Sequence, residues 1–273
     1  MNYPRLIAVI LLLLFVVASI GSLVYFFEMD GYYHITFFIT KEKGNQTINN
    51  LVAATAKYEN NSQRLNQIAN LITDDFTDMF WESEKNDQYF CHYLENGKDV
   101  WAWCPPLYGI LGSDPHNYAY TLDKRGRVRV MVNNDLAFDP YWVAYQKTGA
   151  CQAISIFFNE TANRSGFVSR VVRSDGAYGN GGHMWDEVLI GGEWKYFDVQ
   201  KYGEVKYRKY NFSNDDSPVW FGNRSDFGIN TGAGLCDTTE RGVYVLNLTN
   251  YGYGENITSF YDQLNECPHG LHL

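Results

Sequence analysis

A histidine and an aspartate lie fifteen residues apart in a stretch where their side chains could share a proton. His183 begins a strand-like, aromatic-rich segment, residues 183–190, and a second such segment, residues 193–199, contains Asp198. Gly191-Gly192 lies between them, and two strand-like runs separated by a glycine pair predict a β-hairpin with a two-residue turn. An imidazole and a carboxylate held together can serve as a general base and the acid that orients it.

The two-residue turn fixes which side chains share a face of the hairpin. It pairs Ile190 with Glu193, which leaves His183, Trp185 and Asp198 on one face. Asp198 is then the diagonal neighbour of His183, at about 7 Å, within reach of two side chains that lean together. We expect a His183–Asp198 pair, which is structural unless a nucleophile lies nearby. Trp185 is either a wall of a substrate cleft or a plain core residue.

Cys151 is the candidate nucleophile, in the segment 147–172. Thr148 is a plausible helix N-cap, which would place Cys151 in the first turn of a helix that ends before Gly166. A thiol in the first turn of a helix lies near the positive end of the helix dipole, which favours the thiolate, as does a nearby imidazole. The alternative is a buried and chemically inert cysteine.

Four short motifs follow one another between residues 149 and 199. They are Gly-x-Cys at 149–151, Gly-x-x-x-Arg-Val at 166–171, His-x-Trp-x-Glu-Val at 183–188 and Trp-x-x-x-Asp at 194–198. This pattern resembles the core of the transglutaminase-like superfamily, in particular the membrane-anchored archaeal or bacterial type. The superfamily includes transglutaminases, peptide:N-glycanases and bacterial and archaeal cysteine peptidases. Residues 198–200 are Asp-Val-Gln, whereas the superfamily often has Asp-Pro-Thr at this place.

The resemblance implies a fold and a set of roles. The fold is α+β, a papain-like transglutaminase core in which the helix bearing Cys151 packs on an antiparallel sheet bearing His183 and Asp198, after one N-terminal transmembrane helix. Cys151 is then the nucleophile, His183 the base and Asp198 the orienting acid. The resemblance implies no cofactor and no metal.

Three further residues near these motifs have expected roles. A tetrahedral oxyanion would accept a hydrogen bond from the backbone N–H of Cys151, and the Trp142 indole or the Gln146 amide are candidates for the second donor. Glu187 belongs to the motif but is expected to be structural rather than catalytic.

Three functions fit these parts. The first is a cysteine hydrolase, a peptidase or amidase that cleaves a peptide or carboxamide bond through a thioester. The second is protein-glutamine transglutaminase activity, although the chain has no room for the extra β-domains of the large animal enzymes. The third is a non-catalytic surface scaffold module, against which the intact Cys, His and Asp argue. The expected partner is a peptide or protein substrate, and proteins of the cell surface are candidates.

An uncharged apolar run covers residues 6–27. Twenty-two such residues can cross a bilayer core of about 30 Å as a helix. Arg5 before the run, with Glu28 and Asp30 after it, favours an inside amino terminus. The alternative is a cleaved signal peptide and a secreted protein, which also places the body outside. We expect a single-pass cell-membrane protein with its C-terminal domain outside the cytoplasm.

The expected domain organisation follows from that run. Residues 1–5 form a cytoplasmic tail, residues 28–60 a stalk or N-terminal extension, and residues 61–273 a transglutaminase-like domain whose core motif covers 147–200. The part that follows the apolar run is long enough for one domain with a substantial core.

Local patterns predict the elements of that domain. Residues 32–40 either form a strand, for which they have the propensity, or belong to a stalk, whereas residues 47–60 and 62–81 have helical spacing. Residues 91–104 are typical of a hairpin, and a short helix is expected near residues 126–135. Helices first and a hairpin sheet later predict an α+β domain.

Eight Asn-x-Ser/Thr triplets favour an extracytoplasmic location, since composition alone would give about two. Their asparagines are Asn45, Asn60, Asn159, Asn163, Asn211, Asn223, Asn247 and Asn256. The formal net charge is −9 and the sequence contains no basic cluster. Nucleic-acid binding, which needs a positive patch, is therefore not expected.

The cysteines are five, an odd number, which leaves one thiol over in an oxidising compartment. A hairpin turn centred on Gly97-Lys98 would place Cys91 opposite Cys104, and the two are expected to form a disulfide. Cys236 and Cys267 form the second expected disulfide. Cys151 is then the free thiol.

Overall fold

A computed structural model gives the fold of the chain. It describes residues 3–28, 31–78, 90–95, 98–103, 118–122, 128–132, 135–174, 183–207, 221–224, 242–250 and 252–261.

Six α-helices occur in the described part of the chain. They are α1 (Tyr3–Glu28), α2 (Gly31–Thr55), α3 (Asn61–Asp75), α4 (Pro140–Gln146), α5 (Cys151–Arg164) and α6 (Val199–Tyr207). Helix α1 covers the run predicted to be a transmembrane anchor at residues 6–27. Over the residues that the structure describes, no helix combines the length and the apolar character that a membrane crossing requires, so the predicted transmembrane helix is not found.

A six-stranded antiparallel sheet is the largest sheet of the structure. It consists of β7 (Ser169–Ser174), β8 (His183–Ile190), β9 (Glu193–Phe197), β10 (Phe221–Asn223), β11 (Val243–Asn247) and β12 (Gly252–Asn256). Its strand order is β10-β9-β8-β7-β11-β12. Helix α5 packs on this sheet, and Ser155 in the helix donates a hydrogen bond of 3.2 Å to the Met184 carbonyl in β8. The predicted α+β class is confirmed.

Three two-stranded sheets complete the described strands. They pair β1 (Thr77–Asp78) with β6 (Thr148–Gly149), β2 (Phe90–Glu95) with β3 (Lys98–Trp103), and β4 (Tyr118–Leu122) with β5 (Val128–Val132). The first pair is parallel and the other two are antiparallel.

Helix α2 contradicts the strand expected at residues 32–40, because those residues lie inside one helix. Tertiary packing outweighs the β propensity of its aromatic and β-branched residues. The Phe37 ring makes an edge contact with Trp142 at 6.3 Å, and Ile48 is fully buried in the core. Arg164, at the end of α5, donates to Asn45 in α2. The segment 28–60 therefore includes a helix that packs on the core rather than only a free stalk.

Helix α3 follows the pattern expected from its sequence. Asn60 is its N-cap, and its side-chain oxygen accepts a hydrogen bond of 3.0 Å from the Gln63 N–H. The expected apolar face is buried at Leu65, Ile68, Ala69, Ile72 and Phe76. The helix ends at Asp75, so the predicted helix is wrong for residues 76–78. Met79, the last residue of the predicted apolar face, lies outside the described residues.

The helix expected in the middle of the chain is wrong. A helix was expected near residues 126–135, but Val128, Val130 and Val132 alternate along strand β5. Alternating β-branched residues suit a pleated strand, and only a 3₁₀ turn, Asp135–Phe138, follows.

The hairpin predicted around residues 91–104 forms, but its register differs from the prediction. Glu95 pairs with Lys98, so Cys91 lies opposite Ala102 and not opposite Cys104. The two residues between the paired strands are Asn-Gly, the pair most strongly associated with a two-residue hairpin turn. Cys104, Cys236 and Cys267 lie outside the described residues, so both disulfides remain predictions.

Candidate active site

Helix α5 begins at Cys151, after a backbone arrangement that only glycine suits. Thr148 belongs to strand β6, where it pairs with Thr77, and is not the N-cap that the sequence predicts. The N-cap is Ala150, which has no side-chain hydrogen bond to offer. Gly149 has a φ of 152°, and a Cβ atom there would lie 2.3 Å from the Ala153 Cβ. Gly149 thus allows the strand to meet the helix at the thiol.

The hairpin that carries His183 has the predicted register. Ile190 pairs with Glu193, and Asp186 pairs with Phe197. His183 is 5% exposed, and its Nε2 lies 2.7 Å from the Asp198 Oδ2. The glycine-pair turn therefore brings these two side chains into direct contact.

Asp198 has a second contact that sequence reasoning missed. Its Oδ1 accepts a hydrogen bond of 2.9 Å from the Lys201 backbone N–H in the first turn of α6. An aspartate directly before a helix is a common N-cap, and this signal was present in the sequence. One oxygen of the carboxylate thus binds the helix and the other binds the imidazole, which fixes the side chain in place.

His183 and Asp198 each stabilise the charged form of the other in the protein interior. Burial lowers the pKa of His183, but the charge and the hydrogen bond of Asp198, together with Cys151, outweigh burial and raise it to about 10. Burial also acts to raise the pKa of Asp198, but His183 and the Lys201 N–H hold it below its usual value. At neutral pH the pair is therefore an imidazolium and a carboxylate.

Cys151 lies close enough to His183 to contribute to the raised pKa of the imidazole. It is a free cysteine and is half-buried. The structure shows direct contact between the predicted base and acid, and the catalytic role of Cys151 stays a prediction.

Trp185 is fully buried, although the sequence left open whether it would line a substrate cleft. Its ring stacks near the His183 imidazole, with 6.0 Å between ring centroids. The indole N–H donates to the Tyr261 hydroxyl at 3.3 Å. This placement fits the core alternative, in which Trp185 supports the imidazole from behind.

Glu187 lies at the centre of an ion-pair cluster and is itself fully buried. Arg170 donates to it at 2.8 Å, Arg224 donates at 2.7 Å, and the Tyr261 hydroxyl donates at 2.5 Å. Burial, followed by the negative charge of Glu187, raises the pKa of Tyr261 well above its usual value. The cluster agrees with the structural role expected of Glu187. Nothing in the sequence pattern marked Arg224 or Tyr261 as its partners.

Asp186 is a buried acid near Asp198 that the sequence did not single out. It is fully buried on the face of β8 that packs against α5. Among the described residues neither carboxyl oxygen has a hydrogen-bond partner. Burial, then the charge of Asp198, raises its pKa well above the usual value, although Ser155 and Asn159 act to lower it. Burial therefore disfavours the ionised form of Asp186, a carboxyl group close enough to Asp198 to feel its charge.

The first turn of α5 offers donors for a developing negative charge. The first backbone N–H groups of a helix, including that of Cys151, have no acceptor within the helix. Of the two side chains expected as a second donor, Trp142 packs in the core against Phe37. Gln146 is buried at the last residue of α4, five positions before Cys151. No cluster of three potential metal ligands occurs in the described part of the chain.

Comparison with known proteins gives little further information. No protein-family model matches the sequence, and no curated protein matches it. A solved structure described as "Crystal structure of a TGase" is similar with a TM-score of 0.38 and 16% sequence identity. The similarity covers 71% of this chain and 42% of that one, so the chain spans less than half of that protein's length. A similarity this low defines neither a fold family nor an activity.

Proposed function

We propose that the protein is a transglutaminase-like cysteine hydrolase, a peptidase or amidase. The observation that carries the proposal is the convergence of three side chains. A free, half-buried thiol at the first residue of α5 meets a buried imidazole, and that imidazole is held 2.7 Å from a buried carboxylate. Such a convergence is the requirement for nucleophilic catalysis by cysteine.

The chemistry follows from the charges. The Cys151 thiolate, stabilised by the His183 imidazolium and by the amino-terminal end of α5, attacks a carbonyl carbon and forms a tetrahedral oxyanion. The backbone N–H of Cys151 donates to that oxyanion. His183 then protonates the leaving amine, a thioester remains, and water attacks it with His183 as base. Asp198 keeps the imidazole in the required orientation and tautomer.

Hydrolysis and amine transfer share this thioester and differ only in what resolves it. The test incubates the full chain with a peptide library, with and without a primary-amine acceptor, and identifies the products by mass spectrometry. The proposal predicts cleaved or deamidated products in both samples. Amine conjugates as the main product would indicate a transglutaminase, and no turnover of any peptide would favour the scaffold reading.

Variants of the three residues make the test specific. Cys151→Ala and His183→Ala should each lower turnover by about 10⁶-fold, because members of such a unit act together. Asp198→Asn should lower it less, by about 10⁴-fold, through the wrong imidazole tautomer. Full activity of Cys151→Ala on a verified substrate would reject the cysteine-hydrolase proposal.

The proposed location is outside the cytoplasm, at the cell membrane, and the support is the excess of glycosylation triplets in the sequence. Attachment through residues 6–27 remains a prediction. Protease added to intact cells should remove the domain, and complete protection would reject the location.

The expected disulfide pairing leaves Cys151 as the free thiol. Alkylation under denaturing, non-reducing conditions should therefore label Cys151 alone. Label on further cysteines, or a disulfide at Cys151, would reject the expected pairing.

A further inference from the structure

Three of the glycosylation triplets lie at the two edges of the six-stranded sheet. Among the described residues the sheet ends at β10 on one side and at β12 on the other. Asn223 is the last residue of β10, Asn247 is the last of β11, and Asn256 is the last of β12. All three are exposed. Asn247 also pairs with Gly252, the first residue of the edge strand.

The amide groups of these asparagines have their oxygen atoms turned toward the protein. The Asn247 Oδ1 accepts a hydrogen bond of 2.9 Å from the Thr249 N–H. The Asn256 Oδ1 accepts bonds of 3.0 Å and 2.6 Å from the N–H and hydroxyl of Thr258. The Asn223 Oδ1 accepts from the Lys195 ammonium group. Because Nδ2 lies opposite Oδ1 on a planar group, the nitrogen atoms are directed away from these contacts.

Asn159 belongs to the same kind of triplet but has the opposite environment. It is 3% exposed, on the face of α5 that packs against β7. Its Nδ2 donates to the Ser169 hydroxyl at 2.9 Å, and its Oδ1 accepts from Asn163 at 3.1 Å. A sugar on the Asn159 nitrogen would have to displace Ser169 and separate the helix from the strand. The folded domain is therefore incompatible with modification at this position.

We propose that Asn223, Asn247 and Asn256 carry N-linked glycans that cover both edges of the sheet, and that Asn159 carries none. The inference rests on the proposed extracytoplasmic location but not on the catalytic residues. The donor is a lipid-phosphate-linked oligosaccharide, and an oligosaccharyltransferase is the catalyst. Asparagine Nδ2 attacks C1 of the first sugar and loses one proton to a base of the transferase. The bond from C1 to the phosphate oxygen breaks, and the lipid phosphate leaves with the electron pair.

The position of the glycans gives them a physical role. An exposed edge strand presents unpaired N–H and C=O groups that can pair with another chain. Residues 253–256 of β12 are all exposed, and Tyr253 is 52% exposed. A bulky hydrophilic group at the end of each edge strand would prevent a second copy from adding its own strand there.

Site mapping tests the proposal directly. The full chain is produced in a eukaryotic secretory cell and treated with peptide N-glycosidase in ¹⁸O-water, which converts each glycosylated asparagine to a labelled aspartate. We expect label at residues 223, 247 and 256 and none at 159. Label at 159, or no label at the three edge positions of a protein that carries glycans elsewhere, would overturn the inference. A chain without any glycan would also overturn it and would indicate that the proposed location is wrong.

A second arm tests the role of the edge glycans. The edge variant combines Asn223→Gln, Asn247→Gln and Asn256→Gln. The control variant, Thr47→Ala with Ser62→Ala, removes two triplets outside the sheet but keeps their asparagines. Light scattering should show concentration-dependent self-association of the edge variant only. Wild-type protein whose glycans are trimmed to one sugar per site should also self-associate. That result would show that self-association of the edge variant does not come from a folding defect. Edge variant and trimmed protein that both stay monomeric would reject the protective role.

Discussion

His183 and Asp198 are two buried charges that stabilise each other. Either charge alone would be costly in a site where both residues are almost completely buried. Together they keep an imidazolium next to Cys151 over the physiological pH range, since the pKa of His183 is raised to about 10. The catalytic proposal and the stability of the fold therefore depend on the same contact.

We expect this pair to make the free energy of unfolding depend on pH. The folded pKa of His183 exceeds the unfolded value of about 6.5, so its stabilising effect is complete below pH 6.5 and is lost as the pH rises through about 10. The pKa of Asp198 is lowered, so its effect is present above its unfolded pKa and is lost as the pH falls. The pair should therefore stabilise the fold most between the unfolded pKa of Asp198 and the unfolded pKa of His183, about 6.5.

The comparison with His183→Gln measures the contribution of the pair. At pH 6 the variant should be less stable by about 3 to 5 kcal/mol, because it leaves a buried carboxylate without its counter-charge. Urea unfolding should show the gap narrow as the pH approaches 10, where the wild-type imidazole also loses its charge. A gap that stays constant over this range would contradict the assignment.

Asp186 should destabilise the fold at neutral pH. Its folded pKa is raised, so the group adds least cost below its unfolded pKa, and the cost grows as the pH rises toward the folded value. Asp186→Asn should therefore be more stable than wild type at pH 7 by about 1 to 3 kcal/mol, with a smaller difference near pH 4. Asp74→Asn, on an exposed side chain, is the matched control. A less stable Asp186→Asn would indicate a cationic partner.

The start of helix α5 shows which part of an element the sequence defines. The apolar pattern predicted a helix that contains Cys151 and ends before Gly166, and both features are confirmed. Thr148 was predicted as the cap because threonine is a good capping residue. The structure uses Thr148 in a strand pair with Thr77, a contact between residues far apart in the chain that local sequence does not reveal.

Gly149→Ala tests how closely this start is packed. The added methyl group would clash with the Ala153 Cβ and would occupy a φ of 152°. We expect a loss of about 1 to 3 kcal/mol in unfolding free energy, together with slower alkylation of Cys151. Gly166→Ala, at a φ of 90° with open space around it, is the control for backbone strain alone. Equal alkylation rates in the two variants would contradict a role for Gly149 in positioning the thiol.

The two hairpins show when strand register can be predicted. Gly191-Gly192 allowed only one two-residue turn, so the predicted pairing of His183 with Asp198 follows directly. Near Gly97 the sequence Glu-Asn-Gly-Lys allows a turn centred on Asn-Gly or on Gly-Lys. The Gly-Lys turn predicts Cys91 opposite Cys104, whereas the structure places Cys91 opposite Ala102. Register depends on turn chemistry, and the Asn-Gly pair was the stronger signal.

At the scale of the whole molecule, helix α2 packs on the domain that carries the site. Residues 32–40 are rich in aromatic and β-branched side chains, so local propensity favoured a strand. Their helical form depends on α4 and α5, which lie about a hundred residues further along the chain. The Arg224–Glu187–Tyr261 cluster is similarly built from distant segments. Sequence patterns therefore located the reactive residues but not the contacts that hold their elements together.

Gly44→Ala tests whether α2 is an integral part of the domain. A Cβ at position 44 would lie 2.0 Å from the Tyr141 carbonyl oxygen in α4. We expect a loss of at least about 1 to 3 kcal/mol in unfolding free energy, since the two helices would have to separate. Gly21→Ala, with nothing within 4 Å, should change stability by no more than about 1 kcal/mol. Similar stabilities for both variants would support a free stalk instead.

The central claim is that His183 and the start of helix α5 hold Cys151 ready as a nucleophile. The most direct measurement is the rate of Cys151 alkylation by iodoacetamide as a function of pH, in wild type and in His183→Ala. We predict rapid labelling of the wild type and a large decrease in His183→Ala at the same pH, because a neighbouring imidazolium favours the reactive thiolate. A labelling rate that is the same in wild type and in His183→Ala at every pH would contradict the claim.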